Sequence, residues 1–410
     1  MMKTMRRILS LTLSALLLAG VLSGCTDSQD PEATPTEGQE TVSPTPAAGE
    51  SLPMVETPDM VQQLLGFPRD TTLLTVDGRP VAAEDFLYCL TYATESLGYS
   101  LYGGMADMDW TAEVEDTPIK TYLIDSAVES AQFYAVVESK AAEYGITISE
   151  EEQAQLDSEL ASVVEQLGGT EAYAARLQAL AISDEGFRRL NRVSPLYNDM
   201  QEMLFGENGE HAPTDEELCE FAESQADALM AKHILIRTVD DSGEPLPEEE
   251  QAAARATAED LLAQIRAADD PIATFDQLMN EYSEDGRDAD GNLAYPDGYL
   301  FTAGQMAEEF ETATRALEYN EISDLVESEF GYHIILRLPP VNDEVRSAWT
   351  IVQMNDQVNQ WMEESQLETT EEFSAVDPET YYNALSALRE ELDAEAGASA
   401  TPAPESDTQE

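Results

Sequence analysis

The sequence predicts an α+β protein, with a small central sheet surrounded by helices and inserted between mainly helical N- and C-terminal segments. Three observations predict this. Two runs, "AKHILIRT" at 231–238 and "GYHIILRL" at 331–338, string branched apolar residues together as buried strands do. Between them lie apolar stripes of helical period. The stretches on either side, 61–225 and 341–394, read mostly as helix.

Taken in order, the chain opens with Lys3, Arg6 and Arg7 ahead of an apolar run at 8–21, too short for a comfortable membrane span. The run ends in Leu22-Ser23-Gly24-Cys25, which resembles the lipobox of bacterial lipoproteins. That resemblance implies a signal peptide over 1–24, cleavage before Cys25 and lipidation of its thiol. A plain secretory signal with a chance cysteine is the alternative. Residues 25–60 are rich in Pro, Thr, Ser, Glu and Gly and predict a disordered tether, and 395–410 predict a disordered tail.

Order begins near "TTLLTVDGRPVAAEDFLYCL". Residues 73–76 read as a strand, Asp77-Gly78 as a turn, and Glu84 onward as a helix with Phe86, Leu87 and Leu90 on one face. Residues 117–205 are mostly helical, with Ser149 and Glu152 spaced as a capping box and "LGG" at 167–169 as a break. Pro213-Thr214 with Glu217 opens a helix expected to bury Leu218 and Phe221.

The first histidine strand follows. Pro247 opens a helix running to about Ala268, with Leu261, Leu262 and Ile265 inward. A second helix places Phe275, Leu278, Met279 and Tyr282 on one face. After a loop come the short strand "YLF", a helix over 306–317 facing inward with Phe310, Ala313 and Leu317, and the second histidine strand, stopped by Pro339-Pro340. The order over 228–340 is β, α, α, β, α, β. Helices at 342–365 and 378–394 complete the chain.

Acidic residues number 83 against 20 basic ones, a net charge of -63 over 410 residues. Such a chain repels nucleic acid and anionic lipid surfaces and attracts cationic or unfolded partners weakly at physiological salt. Solubility alone is the default reading of the charge. Beyond Cys25 only Cys89 and Cys219 remain, which is no disulfide framework. Buried free thiols are the default, and one disulfide stays open in an oxidising compartment.

The motifs "AKHIL", "YSED", "YLFTAGQMAEEFETATRAL" and "EISDLVESEFGYHIILRL" occur in one order over 228–340. This span resembles the parvulin family of peptidyl-prolyl cis-trans isomerases. The resemblance implies that His233 and His333 lie side by side on adjacent strands, with Asp285 nearby, as the catalytic group. Met306 and Phe310 would form the apolar pocket for the substrate proline, with the aromatic Phe301 beneath. Two strand histidines can also be hydrogen-bonded core residues, and Met306 and Phe310 at i, i+4 would ordinarily be plain core. Gly298 stands where many members carry a leucine lining the pocket, which implies a wider pocket and weaker catalysis. Phe330 replaces a small polar residue of some members. The loop between 285 and 299 lacks a Lys/Arg cluster, which argues against phosphate selectivity.

No cofactor or metal is implied. His211 precedes the domain, and "DADGN" at 288–292 has Leu293 and Tyr299 where a calcium loop needs Gly and Glu. The flank "LLTVDGRPVAAEDFLYCL" resembles the opening of the helical chaperone region in PrsA-type and SurA-type foldases. Together these imply an isomerase and foldase, lipid-anchored on the extracytoplasmic face of the cell membrane. Its partners would be unfolded or proline-containing secreted polypeptides. A homodimer stays open. The alternative is a holdase that uses the parvulin domain as a peptide clamp without catalysis.

Overall fold

The computed structural model describes residues 52–105, 108–225, 227–287 and 292–399, the side chains of 395–399 excepted. The expected signal peptide, Cys25, residues 288–291 of "DADGN" and the tail beyond 399 lie outside the described residues. The chain divides into two compact units: Leu204–Met354 form one, and the residues before and after form the other.

The first unit opens with α1 (Met60–Leu65), β1 (Thr72–Val76), β2 (Arg79–Ala82) and α2 (Ala83–Tyr102). Asp77 and Gly78 both take positive φ between β1 and β2, as a two-residue type I′ hairpin requires. A second hairpin, β3 (Glu113–Val114) and β4 (Thr117–Pro118), precedes α3 (Ile119–Tyr144). Then come α4 (Glu150–Gln166), α5 (Thr170–Ala179), α6 (Asp184–Asn191) and α7 (Val193–Phe205). Ser149 and Glu152 form the capping box of α4, each side chain bonded to the other's backbone N–H. Gly168 and Gly169, both at positive φ, separate α4 from α5.

The expected tether is shorter than the composition implies. Leu52 is buried among Leu160, Val163, Tyr173, Leu177 and Phe187. Asp184, fully buried, accepts from Val55 N at 2.8 Å, from Tyr173 Oη at 2.7 Å and from Arg188 Nε at 3.0 Å. A buried carboxylate must be satisfied this way, and the segment that satisfies it is fixed from residue 52 onward.

The second unit contains α8 (Asp215–Gln225), β5 (Ala228–Arg237), α9 (Glu248–Ala267), α10 (Pro271–Tyr282), β6 (Tyr299–Thr302), α11 (Glu308–Ala316), β7 (Val326–Ser328) and β8 (Gly331–Leu338). The unit extends beyond the expected 228–340, because α8 buries Leu218 and Ala222 against it; Phe221 is only half-buried. Its sheet is antiparallel in the order β6-β5-β8-β7, and β7 is an edge strand that periodicity did not predict. Tyr282, expected inward, is exposed at the end of α10. Cys89 and Cys219 are both free thiols.

After α12 (Asp343–Glu364), β9 (Leu367–Thr369) pairs antiparallel with β1. This makes the three-stranded sheet β2-β1-β9 of the first unit. The chain continues through α13 (Glu371–Ser374) and α14 (Pro378–Ser399). The unit with the four-stranded sheet is thus inserted in the chain between two mainly helical segments that pair with each other through β1 and β9.

Candidate active site

Strand register explains why two histidines stand on buried strands. In the β5–β8 ladder Leu235 pairs with His333 and His233 with Ile335. Side chains alternate, so Ile234, Ile236, Ile334 and Leu336 share one face, packed with Leu261, Ile265 and Phe275 of α9 and α10. The other face carries Ala231, His233, Leu235, His333 and Ile335. The histidines are therefore diagonal neighbours on one face. Their rings stack with centroids 5.3 Å apart and planes 12° from parallel.

The second strip of the site comes from the chain after α10. β6 covers only residues 228–231 of β5's outer edge. Beyond it, Leu235 N donates to Ser283 Oγ (3.2 Å), Glu284 N to Leu235 O (2.8 Å) and Arg237 N to Glu284 Oε2 (2.6 Å). These bonds satisfy an otherwise open strand edge and hold Asp285 beside His233.

A continuous hydrogen-bonded chain results. His233 Nδ1 meets His333 Nδ1 at 3.0 Å, His233 Nε2 meets Asp285 Oδ2 at 3.0 Å, and His333 Nε2 meets Ser328 Oγ at 2.7 Å. Tyr299 Oη also donates to Asp285 Oδ2. A carboxylate only accepts, so a neutral His233 presents its N–H at Nε2 and accepts at Nδ1. His333 then donates from Nδ1 and accepts the Ser328 hydroxyl at Nε2.

Electrostatics agree with that assignment. Burial pushes the His333 ring down to about 3; a proton on His233 would push it further the same way, and the Asp285 carboxylate pulls against it. Burial alone would raise the Asp285 carboxyl. Hydrogen bonds from His233, Tyr299 and the Gly286 N–H outweigh it and hold the group at about 2. Burial and the bond to Asp285 push the Tyr299 phenol up.

Phe310 on α11 sets its ring against both imidazoles, 5.1 Å from His233 and 5.5 Å from His333, and 5.8 Å from Phe301. Phe310 and Phe301 are buried with Leu229, Ala231 and Ile335, and Met306 packs half-buried at the edge of that cluster. All six residues singled out in this domain thus lie around one face of the sheet, and His211 stands apart against Phe205. Among the described residues no group of three potential metal ligands occurs.

Gly298 requires a correction. It adopts φ +102°, and a Cβ there would lie 2.8 Å from the carbonyl oxygen of Ala231. Its missing side chain would run into β5 backbone, so the glycine serves the turn, and no extra pocket width follows from it. Tyr299, Ser283 and Ser328 belong to the site and were not predicted. "YSED" contains Ser283 two residues before Asp285, and Tyr299 and Ser328 lie in "YLFTAGQMAEEFETATRAL" and "EISDLVESEFGYHIILRL", but the resemblance gave none of the three a role.

Residues 233–338 match the family described as Rotamase, the PPIC-type PPIASE domain. This segment is a parvulin-type rotamase domain. The chain is similar to foldase protein PrsA of Oceanobacillus iheyensis, 30% identical over 183 residues, which are 44% of this chain and 51% of that protein. Foldase protein PrsA of Halalkalibacterium halodurans is 36% identical over 128 residues, 30% of this chain and 31% of that one. The matches thus span about half the length of these curated relatives, or less. A crystal structure of PrsA from Bacillus subtilis covers 71% of this chain and 94% of its own at 20% identity, with a TM-score of 0.21.

Proposed function

We propose that the rotamase domain catalyses cis–trans isomerisation of X–Pro peptide bonds in exported polypeptides, and that the flanking helical unit makes the chain a foldase. The observation that carries this reading is the single hydrogen-bonded chain of Ser328, His333, His233, Asp285 and Tyr299, closed on one side by Phe310. Rotation about the peptide bond crosses a barrier of about 18–20 kcal/mol because conjugation is lost. The twisted amide has a less polar carbonyl and a more pyramidal nitrogen. An apolar wall of Met306 and Phe310, with Phe301 buried beneath it, favours it over the planar form, and the fixed dipoles of His233 and His333 with the Asp285 carboxylate replace water around the carbonyl. Going from tens of seconds to milliseconds takes about 5 kcal/mol, within reach of such a site without nucleophile or metal. The similarity to foldase proteins supports substrate polypeptides as partners and an extracytoplasmic setting.

The full chain should accelerate isomerisation of a proline tetrapeptide, and Asp285→Ala should slow it about tenfold or more while leaving suppression of client aggregation nearly unchanged. If wild type gives no rate above the uncatalysed one, the peptide-clamp reading takes over. Attachment to the membrane would run through lipid on Cys25, and the basic, apolar and Leu22-Ser23-Gly24-Cys25 sequence supports it. Among the described residues no helix is long and apolar enough to cross a membrane. Cys25→Ala should release or mislocalise the protein, and unchanged fractionation with the membrane would rule the anchor out.

A further inference from the structure

We infer that Tyr299 is a positioning residue of the isomerase site: its hydroxyl anchors the Asp285 carboxylate and thereby fixes the direction of hydrogen bonding through both histidines. The inference rests on the isomerase reading above. Three features place this phenol. Tyr299 pairs with Ala231 across the β5–β6 ladder, on the face that carries His233. Gly298, at positive φ and with no room for a Cβ beside the Ala231 carbonyl, turns the chain into that position. Tyr295 packs its ring on Tyr299 with centroids 4.4 Å apart, and the Tyr299 ring stands 5.6 Å from His233 at 75°.

The consequence is directional. Tyr299 Oη and His233 Nε2 converge on the same oxygen, Asp285 Oδ2. With the phenol donating, Asp285 stays an acceptor and is held at His233. Nε2 of His233 must then carry the proton, Nδ1 must accept, and His333 must donate from Nδ1. Ser328 closes the far end as donor, its Oγ accepting in turn from Phe330 N at 3.2 Å. Without the phenol, Asp285 is held only by His233 and the Gly286 N–H, its grip on His233 Nε2 loosens, and both rings drift toward mixed tautomers.

Tyr299→Phe keeps the ring and its contact with Tyr295 and removes only the hydroxyl. In the full chain labelled with ¹⁵N-histidine, wild type should show an Nε2–H tautomer for His233 and Nδ1–H for His333, with His211 as internal reference. Tyr299→Phe should shift the ring-nitrogen signals of His233 and His333 toward mixed tautomers and leave His211 unmoved. Isomerisation should fall about tenfold, as expected for one hydrogen bond to a charged group. In an Asp285→Ala background the same substitution should have no further effect, because both act through one contact. Unchanged ring-nitrogen signals, an unchanged rate, or a loss that adds to that of Asp285→Ala would overturn the inference. A wild type without catalysis would end the isomerase reading instead, and the ring-nitrogen signals alone would then decide the role of Tyr299.

Discussion

His333 is the residue whose chemistry most constrains the unit. Its ring is buried and held at about 3, whereas an imidazole in an unfolded chain has its ordinary 6.5. Between those values the unfolded chain binds a proton that the native one refuses. Stability therefore rises with pH across this window, by about 1.4 kcal/mol per unit at full slope, and is lost as pH falls below 6.5. Asp285 adds loss in the same direction lower down: its stabilisation is present above 3.8 and disappears toward about 2. Amide exchange of β5 and β8 in the full chain, corrected for intrinsic rate, should report weakening protection from pH 6.5 to 5, above the range in which Asp285 titrates. His333→Gln should flatten that dependence relative to wild type; the same slope in both would show that His333 is not the titrating group. The site's ionisable residues were legible because short motifs of fixed order contain them. Tyr299 and Ser328 lie in the same motifs, but the resemblance assigned them no role. Their roles depend on a four-residue and a three-residue strand, whose register no periodicity can reveal.

At the scale of elements, the sequence spoke clearly where a local device sets a boundary. The Ser149–Glu152 box, the positive-φ pair Asp77-Gly78 and the glycine break at 168–169 each act within a few residues, and each stands where expected. β5 and β8 were legible because both faces are buried, one against α9 and α10 and the other against α11 and Phe301. What escaped notice is non-local or short. β9 is three residues, all exposed, and exists because Leu367–Thr369 meet the free edge of β1. Its register is fixed by Asp77, which donates its N–H to Gln366 O at 2.8 Å and accepts Gln366 N on Oδ1 at 2.8 Å. No pattern within 367–369 carries that information; it resides almost 300 positions earlier, in the hairpin turn. Tyr282 failed for the opposite reason. Its spacing from Phe275 and Leu278 is right, but α10 ends there and the chain turns to run beside β5, so the last position of the stripe meets solvent.

The molecule as a whole is one unit inserted into another, and the insertion is wider than motif boundaries imply. Several interactions close Leu204–Met354 on itself. Phe205 meets Trp349 with ring centroids 6.1 Å apart, and Thr350 Oγ1 donates to Phe205 O at 3.2 Å. α8 is tied to the sheet by the Arg337–Glu223 ion pair, by Tyr319 Oη donating to Glu223 at 2.8 Å, and by the Arg337 guanidinium 4.9 Å over the Tyr319 ring. The fully buried Leu218 adds apolar area that fragment 228–340 would expose on its partner surface. A buried leucine contributes about 1.5–3 kcal/mol, a large part of the stability of a small domain. We therefore predict that residues 204–354 expressed alone fold cooperatively and withstand denaturant better than 228–340, with a higher midpoint and a larger slope, since more surface is exposed on unfolding. The shorter fragment retains β5 to β8 and Asp285 and should keep isomerase activity wherever it remains folded. Equal midpoints for the two fragments would mean that α8 and the start of α12 contribute nothing to the unit, and that 228–340 is the true folding boundary.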